Sequence, residues 1–146
     1  MKENESDWEL DPEFEKRDAL RKAGIPVEIA RTDQLLIRET IDSDISELYR
    51  IGTDQAVKKY IAPMQPTLEE EIVYTKAYVR HMYAFYDFGL WTVLEKDAYG
   101  QERVVGRAGL FPSERLAGQI EMGYMIAPEC QGNGYGKEAA ETVLRY

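Results

Sequence analysis

The chain has 146 residues, of which 44 % are hydrophobic and 31 % charged, as expected of one globular domain with its own core. No apolar run approaches the roughly 18 residues that a membrane-spanning helix needs, and the acidic N-terminus is unlike a secretory signal. The net charge of −9 argues against nucleic acid and anionic membranes as partners. A single cysteine, Cys130, allows no intrachain disulfide. We therefore expect a cytoplasmic protein whose acidic surface tolerates cationic substrates such as amines.

Residues 1–34 are predicted to form an acidic N-terminal extension. Its first twenty residues contain eight acidic side chains and three basic ones, and so carry five of the nine net negative charges. A solvated polar segment explains this charge run. Pro12 near the start and Gly24 just past the end of one stretch predict a short helix within the extension.

Residues 35–146 are predicted to form the folded domain. The predicted strands span residues 35–37, 90–95, 103–111 and 119–126, where apolar positions are continuous or alternate. The predicted helices begin near residues 41, 68 and 135, and Thr67 with Glu70 forms a capping box at the second of them. Strands 90–95 and 103–111 form a hairpin. This order predicts an α+β fold: a mixed, mainly antiparallel sheet with helices on both faces.

The segment 126–137 joins the last predicted strand to the last predicted helix. It contains three alternating glycines, Gly132, Gly134 and Gly136. Glycine lets the backbone approach an anion closely, and the first turn of a helix directs unpaired N–H groups outwards. Such a turn can hold a phosphate without a basic side chain. These glycines alone are equally compatible with a plain connecting turn.

Two other phosphate-binding motifs are excluded by this segment. A nucleotide P-loop needs Gly-Lys-Ser or Gly-Lys-Thr, whereas Lys137 is followed by Glu138. A dinucleotide fingerprint needs a parallel βαβ unit with an acidic residue about twenty positions on, and the preceding strands are predicted to be antiparallel.

The wider context resembles one family. Gln131-x-x-Gly134-x-Gly136, after a strand that ends at Ile126, looks like the acetyl-CoA motif of the GNAT (Gcn5-related N-acetyltransferase) superfamily. The segments 36–39, 89–91, 105–109 and 121–124 resemble the branch that includes ribosomal-protein N-terminal acetyltransferases. The resemblance covers residues 35–146 in matching order and spacing.

The resemblance implies an acetyl-CoA-dependent transfer of an acetyl group to a primary amine. It implies that backbone amides of the turn hold the cofactor pyrophosphate, at Gln131, Gly132, Asn133, Gly134, Tyr135, Gly136 and Lys137. It also implies that the backbone of Met125, Ile126 and Ala127 pairs with the pantetheine arm, and that an amide there stabilises the oxyanion. Glu121 matches a position where some members hold the general base. Tyr60 borders the implied acceptor site.

The chain departs from the family pattern at its C-terminal end. A helix packed on a sheet normally returns to another strand, and family members continue with further strands and a helix that complete the cofactor cleft. We therefore expect a fold that lacks those elements and is completed by a homo-oligomer or by a partner chain. The alternative is a non-catalytic GNAT-like module that binds CoA weakly or acts in protein–protein association. The acceptor, a small-molecule or peptide amine, is not specified by the sequence.

Histidine and cysteine give little support to other chemistries. His81 is the only histidine, so neither a metal cluster nor a Ser–His arrangement is predicted. Cys130 lies beside Glu129, whose charge disfavours a reactive thiolate, and is predicted to be a bystander.

Overall fold

The computed structural model describes residues 12–113 and 115–146 and contains a five-stranded antiparallel sheet of order β1–β2–β3–β4–β5. The strands are β1 (Glu28–Arg31), β2 (Leu35–Arg38), β3 (Leu90–Lys96), β4 (Glu102–Pro112) and β5 (Ile120–Ile126). The helices are α1 (Pro12–Lys22), α2 (Ile45–Thr53), α3 (Gln55–Lys58), α4 (Leu68–Tyr78), α5 (Ala84–Tyr86) and α6 (Tyr135–Arg145). A π-helical turn, Val79–Tyr83, joins α4 to α5, and 3-10 turns span Asp42–Asp44 and Pro128–Cys130.

The predicted α+β fold is confirmed, because all four predicted strands and the predicted helices are present. Strand β1 was not predicted. It lies within the segment assigned to the extension and pairs antiparallel with β2. It has only four residues, none of them buried, so its sequence shows no alternation between core and solvent. Helix α3 was also missed, in the stretch interpreted as irregular. The acidic run at residues 1–11 lies outside the described residues.

Helices cover both faces of the sheet, as predicted. Helix α6 packs against β5, β4 and β2, while α2 packs against β4, β5 and α4. Neighbouring side chains of β3 point to opposite faces. Trp91 therefore contacts Tyr146 beyond α6, whereas Thr92 meets the start of α2. Within α6, Ala139 and Val143 are buried, whereas Leu144 is 67 % exposed. No helix in the described part is long and apolar enough to cross a membrane.

The carboxylate of Asp44 holds α2 against the sheet. It accepts hydrogen bonds from both terminal nitrogens of Arg38 (2.7 and 2.8 Å), from Thr92 Oγ1 (3.0 Å) and from the Ile41 backbone amide (3.0 Å). Arg38, Asp44 and Thr92 are all buried. Although Asp44 occupies the N-cap position of α2, its side chain caps no amide of that helix. One residue thus joins β2, β3 and the entry to α2.

Two further contacts attach the remaining helices. The hydroxyl of the fully buried Tyr83, in the π-helical turn, donates to the Leu90 carbonyl and accepts from the Thr40 amide. Helix α1 has no buried residue and is attached through charge. Its Arg17 and Arg21 bind Asp87, and Arg21 also binds Glu39. The short helix predicted in the extension is thus present, and ion pairs hold it to the domain.

Replacement of Asp44 with alanine should destabilise the domain strongly. The substitution leaves the buried Arg38 guanidinium without its carboxylate, which costs about 3–5 kcal/mol of unfolding free energy. Asp42→Ala is the matched control, because the Asp42 side chain is 74 % exposed and its one ion pair among the described residues is with Lys76 at 3.6 Å. We expect it to change stability by less than about 1 kcal/mol. Urea unfolding of both variants measures the difference, and equal losses would contradict the role of Asp44.

Candidate functional site

The chain changes direction sharply between β5 and α6. After Ile126, the 3-10 turn Pro128–Cys130 leads into a four-residue loop, and α6 begins at Tyr135. Gly134 precedes the helix with φ of +77°, in the left-handed region, and supplies no capping side chain. Gly132 has φ of +91°. The glycines therefore let the loop arrive at the helix in a conformation that most side chains disfavour.

The backbone amides of this turn are unpaired. The first hydrogen bond of the helix joins the Glu138 amide to the Gly134 carbonyl at 3.0 Å. Within the described residues, the amides from Gly132 to Lys137 have no acceptor. A Cβ atom placed on Gly132 or Gly134 would meet no atom within 4 Å, so the space over these amides is open. The turn therefore presents consecutive donors at the positive end of α6, an arrangement that suits a phosphate group.

Gly136, unlike Gly132 and Gly134, is closely packed against a neighbouring side chain. A Cβ at this position would lie 2.6 Å from Cε2 of Tyr124, the ring on which the first turn of α6 rests. The third glycine of the alternation thus lets α6 approach β5 closely, while the first two shape the loop.

A cavity of about 510 Å³ opens between this turn and helix α3. One wall is Tyr124, Met125 and Ile126 of β5, and the floor is the glycine turn. The residues that line it are Ala56, Val57, Tyr60, Ile61, Tyr124, Met125, Ile126, Cys130, Gln131, Gly132, Gly134, Tyr135 and Gly136. Of the residues predicted to bind the cofactor, seven line this one volume, and Asn133, Lys137 and Ala127 do not.

The end of β5 offers main-chain groups to this cavity. The Ala127 amide donates to the Val105 carbonyl at 2.7 Å, and the Ala127 carbonyl accepts from the Cys130 amide at 2.9 Å. Both backbone groups of Ala127 are thus engaged. Because alternate residues of an antiparallel edge strand face opposite ways, the Ile126 amide points away from β4. The Gln131 side chain donates to the Ile126 carbonyl at 3.1 Å, which links the loop to the strand.

Cys130 is a buried, unreactive thiol in the cavity wall. Burial raises the pKa of its thiol, against the opposing effect of the nearby Arg103, whose guanidinium lies 3.3 Å from Sγ. A raised pKa keeps the sulfur protonated at neutral pH and disfavours nucleophilic chemistry.

Glu121 lies on β5, four residues before Met125, and lines neither cavity. Its carboxylate pairs with Arg115 at 3.0 Å, and about a third of its side chain is exposed. At about 3.3 Å of rise per residue it stands some 13 Å along the strand from Met125. Any proton transfer from the cavity to Glu121 would therefore need intervening water.

Tyr60 and His81 are both on the surface. Tyr60 is 79 % exposed, has the Lys59 ammonium over its ring at 5.2 Å, and borders the cavity beside the glycine turn. His81 is exposed in the π-helical turn and lines neither cavity. Among the described residues, no group of histidine, cysteine, aspartate and glutamate side chains could hold a metal ion.

A second cavity, of about 170 Å³, was not predicted. It lies on the α2 and α4 side of the sheet, between the 62–65 loop, α4 and β4, and Arg107 and Glu71 line it. Arg107 occupies an alternating strand position where the sequence predicts only a sheet residue. A basic residue inside the otherwise apolar run 104–111 was the one available signal.

Comparison with known proteins identifies the domain. The family model described as "Acetyltransferase (GNAT) domain" matches residues 34–146. A protein assigned to the GnaT family of acetyltransferases from Bordetella pertussis has a TM-score of 0.61 at 19 % identity, over 80 % of this chain and 70 % of its own.

Two further solved structures share the fold. A protein assigned as a ribosomal-protein-serine acetyltransferase from Vibrio cholerae has a TM-score of 0.62 at 20 % identity, covering 80 % of this chain and 64 % of its own. A protein assigned as an acetyltransferase from Salmonella typhimurium, solved with its cofactor acetyl-CoA, has a TM-score of 0.51 at 18 % identity, covering 76 % and 61 %. The chain thus spans 61–70 % of the length of these three structures. On the evidence of the family match over residues 34–146, the chain belongs to the GNAT acetyltransferase domain family.

Proposed function

We propose that this chain carries the cofactor-binding part of an acetyl-CoA-dependent N-acetyltransferase that acts on a primary amine. The observation that supports this most directly is the run of unpaired amides from Gly132 to Lys137, which faces a cavity of about 510 Å³ in a GNAT domain. The Salmonella typhimurium structure with the same fold contains acetyl-CoA. Acetyl-CoA would supply an acetyl thioester, whose C–S bond breaks as a C–N bond to the amine forms.

The residues of the turn and of β5 have separate parts in this proposal. The amides from Gly132 to Lys137 would bind the pyrophosphate oxygens, aided by the positive end of α6. The outward backbone of Ile126 would align the end of the pantetheine arm, whereas Met125, whose backbone faces Arg107 of β4, would line the cleft without pairing with the cofactor. The Ile126 amide would donate to the oxygen that becomes negative as the amine attacks. Ala127 would donate no hydrogen bond to the cofactor, since its backbone amide and carbonyl are both engaged within the chain.

A base must accept the proton that the amine releases. We propose Glu121 for this role, acting through water across the length of β5. Its ion pair with Arg115 supports the competing interpretation, a purely structural carboxylate. The acceptor is proposed to be a small-molecule or peptide amine, which the net charge of −9 favours over anionic substrates.

Association with a second chain is part of the proposal. Within the described residues, β5 pairs only with β4, so its other edge presents backbone groups able to pair with a further strand. Ile120 and Tyr124 on this strand are more than half exposed. A homo-oligomer or a partner chain would cover this edge. The alternative function, a non-catalytic module that binds CoA weakly or mediates association, uses the same surfaces without acetyl transfer.

Acetyl-CoA should stabilise the folded chain, and Gly134→Val should abolish this effect. At 100 times its dissociation constant, a ligand raises the unfolding free energy by about 2.7 kcal/mol, which is several degrees of Tm at this chain length. Valine at position 134 would strain a φ of +77° and fill the space over the amides. Thermal-shift titration with acetyl-CoA, and with AMP as the ligand control, measures the effect.

Gly100→Val is the matched variant for this titration. Gly100 lies in the distant β3–β4 turn and has a φ of +79°. A Cβ atom at this position would also meet no atom within 4 Å. We expect it to carry the same backbone strain while keeping the shift with acetyl-CoA. An undiminished shift in Gly134→Val would remove the turn from the binding site. The absence of any shift in the wild-type chain would favour the non-catalytic alternative.

Glu121→Gln should lower kcat if Glu121 is the base. Loss of a general base typically costs 10²- to 10⁴-fold, and glutamine keeps the size of the side chain. Arg115→Gln is the control, because it removes the same ion pair and leaves the carboxylate in place. Acetylation of a panel of amines is measured by thiol release. Equal, small effects of the two variants would assign Glu121 a structural role.

A further inference from the structure

The second cavity contains a partly buried positive charge, the Arg107 guanidinium, which forms no ion pair within 4 Å among the described residues. Among the described residues, the only hydrogen-bonding partner of the Arg107 guanidinium is the thioether sulfur of Met64, at 3.8 Å. Burial lowers the pKa of Arg107, although the charge of Glu71 opposes this effect. Because arginine starts from so high a pKa, the group is still cationic at neutral pH. A desolvated cation with so weak a partner is costly, which indicates a functional reason to keep it.

The nearest acidic group is already engaged elsewhere. Glu71 is only 3 % exposed, and its two carboxylate oxygens accept from the Gln65 amide (2.9 Å) and from Thr75 Oγ1 (3.0 Å). Neither Glu71 oxygen is hydrogen-bonded to Arg107, whose guanidinium donates to Met64. Glu71 thus holds the 62–65 loop against α4 and leaves the donors of Arg107 available to the cavity.

Tyr78 supplies a second donor to the same cavity. Its hydroxyl oxygen accepts from the Leu90 amide at 3.0 Å, and its own hydrogen has no acceptor among the described residues. Burial raises the pKa of this hydroxyl, against the opposing charge of Arg107, so the group is a neutral donor at physiological pH. A guanidinium and a phenol that line one small cavity match the acceptor oxygens of a carboxylate.

The position of Arg107 connects this cavity to the cofactor cleft. Arg107 pairs with Met125 across β4 and β5, and directly opposite residues of antiparallel strands have Cα atoms about 4.5–5.5 Å apart. Met125 and Ile61 line the cleft, and Arg107 and Ala62 line the second cavity. A molecule held by Arg107 would therefore reach towards the strand end at which the amine is to be acetylated.

We propose that the second cavity binds the acceptor, and that Arg107 with Tyr78 recognises a carboxylate on it, so that the substrate class is an amine that also bears a carboxylate. This inference rests on the proposed acetyltransferase function for its link to catalysis, but the binding itself does not require acetyl-CoA. A volume of about 170 Å³ equals only a few water molecules at about 30 Å³ each, which suits a small amino acid better than a folded partner. The carboxylate of the substrate would form an ion pair with the Arg107 guanidinium, although the chain as a whole is acidic.

Matched pairs of amines test this recognition without acetyl-CoA. Calorimetry or thermal shift compares L-lysine with cadaverine and L-alanine with ethylamine, which differ only by the carboxylate. We expect the amino acid of at least one pair to bind the wild-type chain at least tenfold more tightly than its decarboxylated counterpart. Equal binding within both pairs, or no binding of any of the four, would overturn the proposal.

Arg107→Met separates recognition from structural support. Methionine fills similar space without charge, so this variant should lose the preference for the carboxylate. Its Tm should stay the same or rise, since a partly buried charge without an ion pair is removed. Arg107→Lys should keep part of the preference. A lower Tm for Arg107→Met with the preference intact would assign Arg107 a structural role. Acetyl-CoA binding, measured on the same samples, tests the proposed acetyltransferase function separately. A wild-type chain that prefers the carboxylate-bearing amines but does not bind acetyl-CoA would refute the acetyltransferase function and leave the carboxylate site standing.

Discussion

The buried carboxylate of Asp44 is the contact on which the rest of the domain depends. It gathers Arg38 of β2, Thr92 of β3 and the amide of Ile41 at the entrance of α2. Helix α2 begins directly after Asp44 and packs across β4 and β5. Residues along and after α2 then form walls of both cavities: Leu48 borders the smaller one and Val57 the larger one. A single buried anion thereby anchors the start of the segment that contributes walls to both cavities.

The two cavities offer binding groups of opposite character. At the larger one the donors are backbone amides at the start of α6, which need no cationic side chain and tolerate an acidic surface around them. At the smaller one the donor is the Arg107 guanidinium, on the α2 and α4 side of the sheet, where the carboxylate of Glu71 is engaged by other donors. The β4–β5 ladder separates them by one pair of residues, Arg107 and Met125. The sheet therefore brings an anion site made of main chain next to one made of a side chain.

The strands from β2 to β5 were predictable from the sequence because their apolar residues either alternate with a period of two or form a short continuous run, as in β-strands. The glycine turn was predictable because glycine spacing reports backbone geometry directly. Strand β1 was not, since a short edge strand without buried residues leaves no pattern. The role of Arg107 could not be predicted for a different reason. Whether a basic residue in a strand is paired depends on neighbours distant in sequence, here Met64 and Glu71, and only the folded structure brings these together.

The central claim is that the amides at the start of α6 form an anion site, and backbone NMR tests it most directly. In ¹⁵N–¹H spectra of the labelled chain, titration with CoA should shift the amide resonances of Gly132 to Lys137 and of Ile126. Gly100, in the distant turn with a similar φ, should stay unchanged. Shifts confined to other parts of the chain, or no shifts at millimolar CoA, would contradict the account.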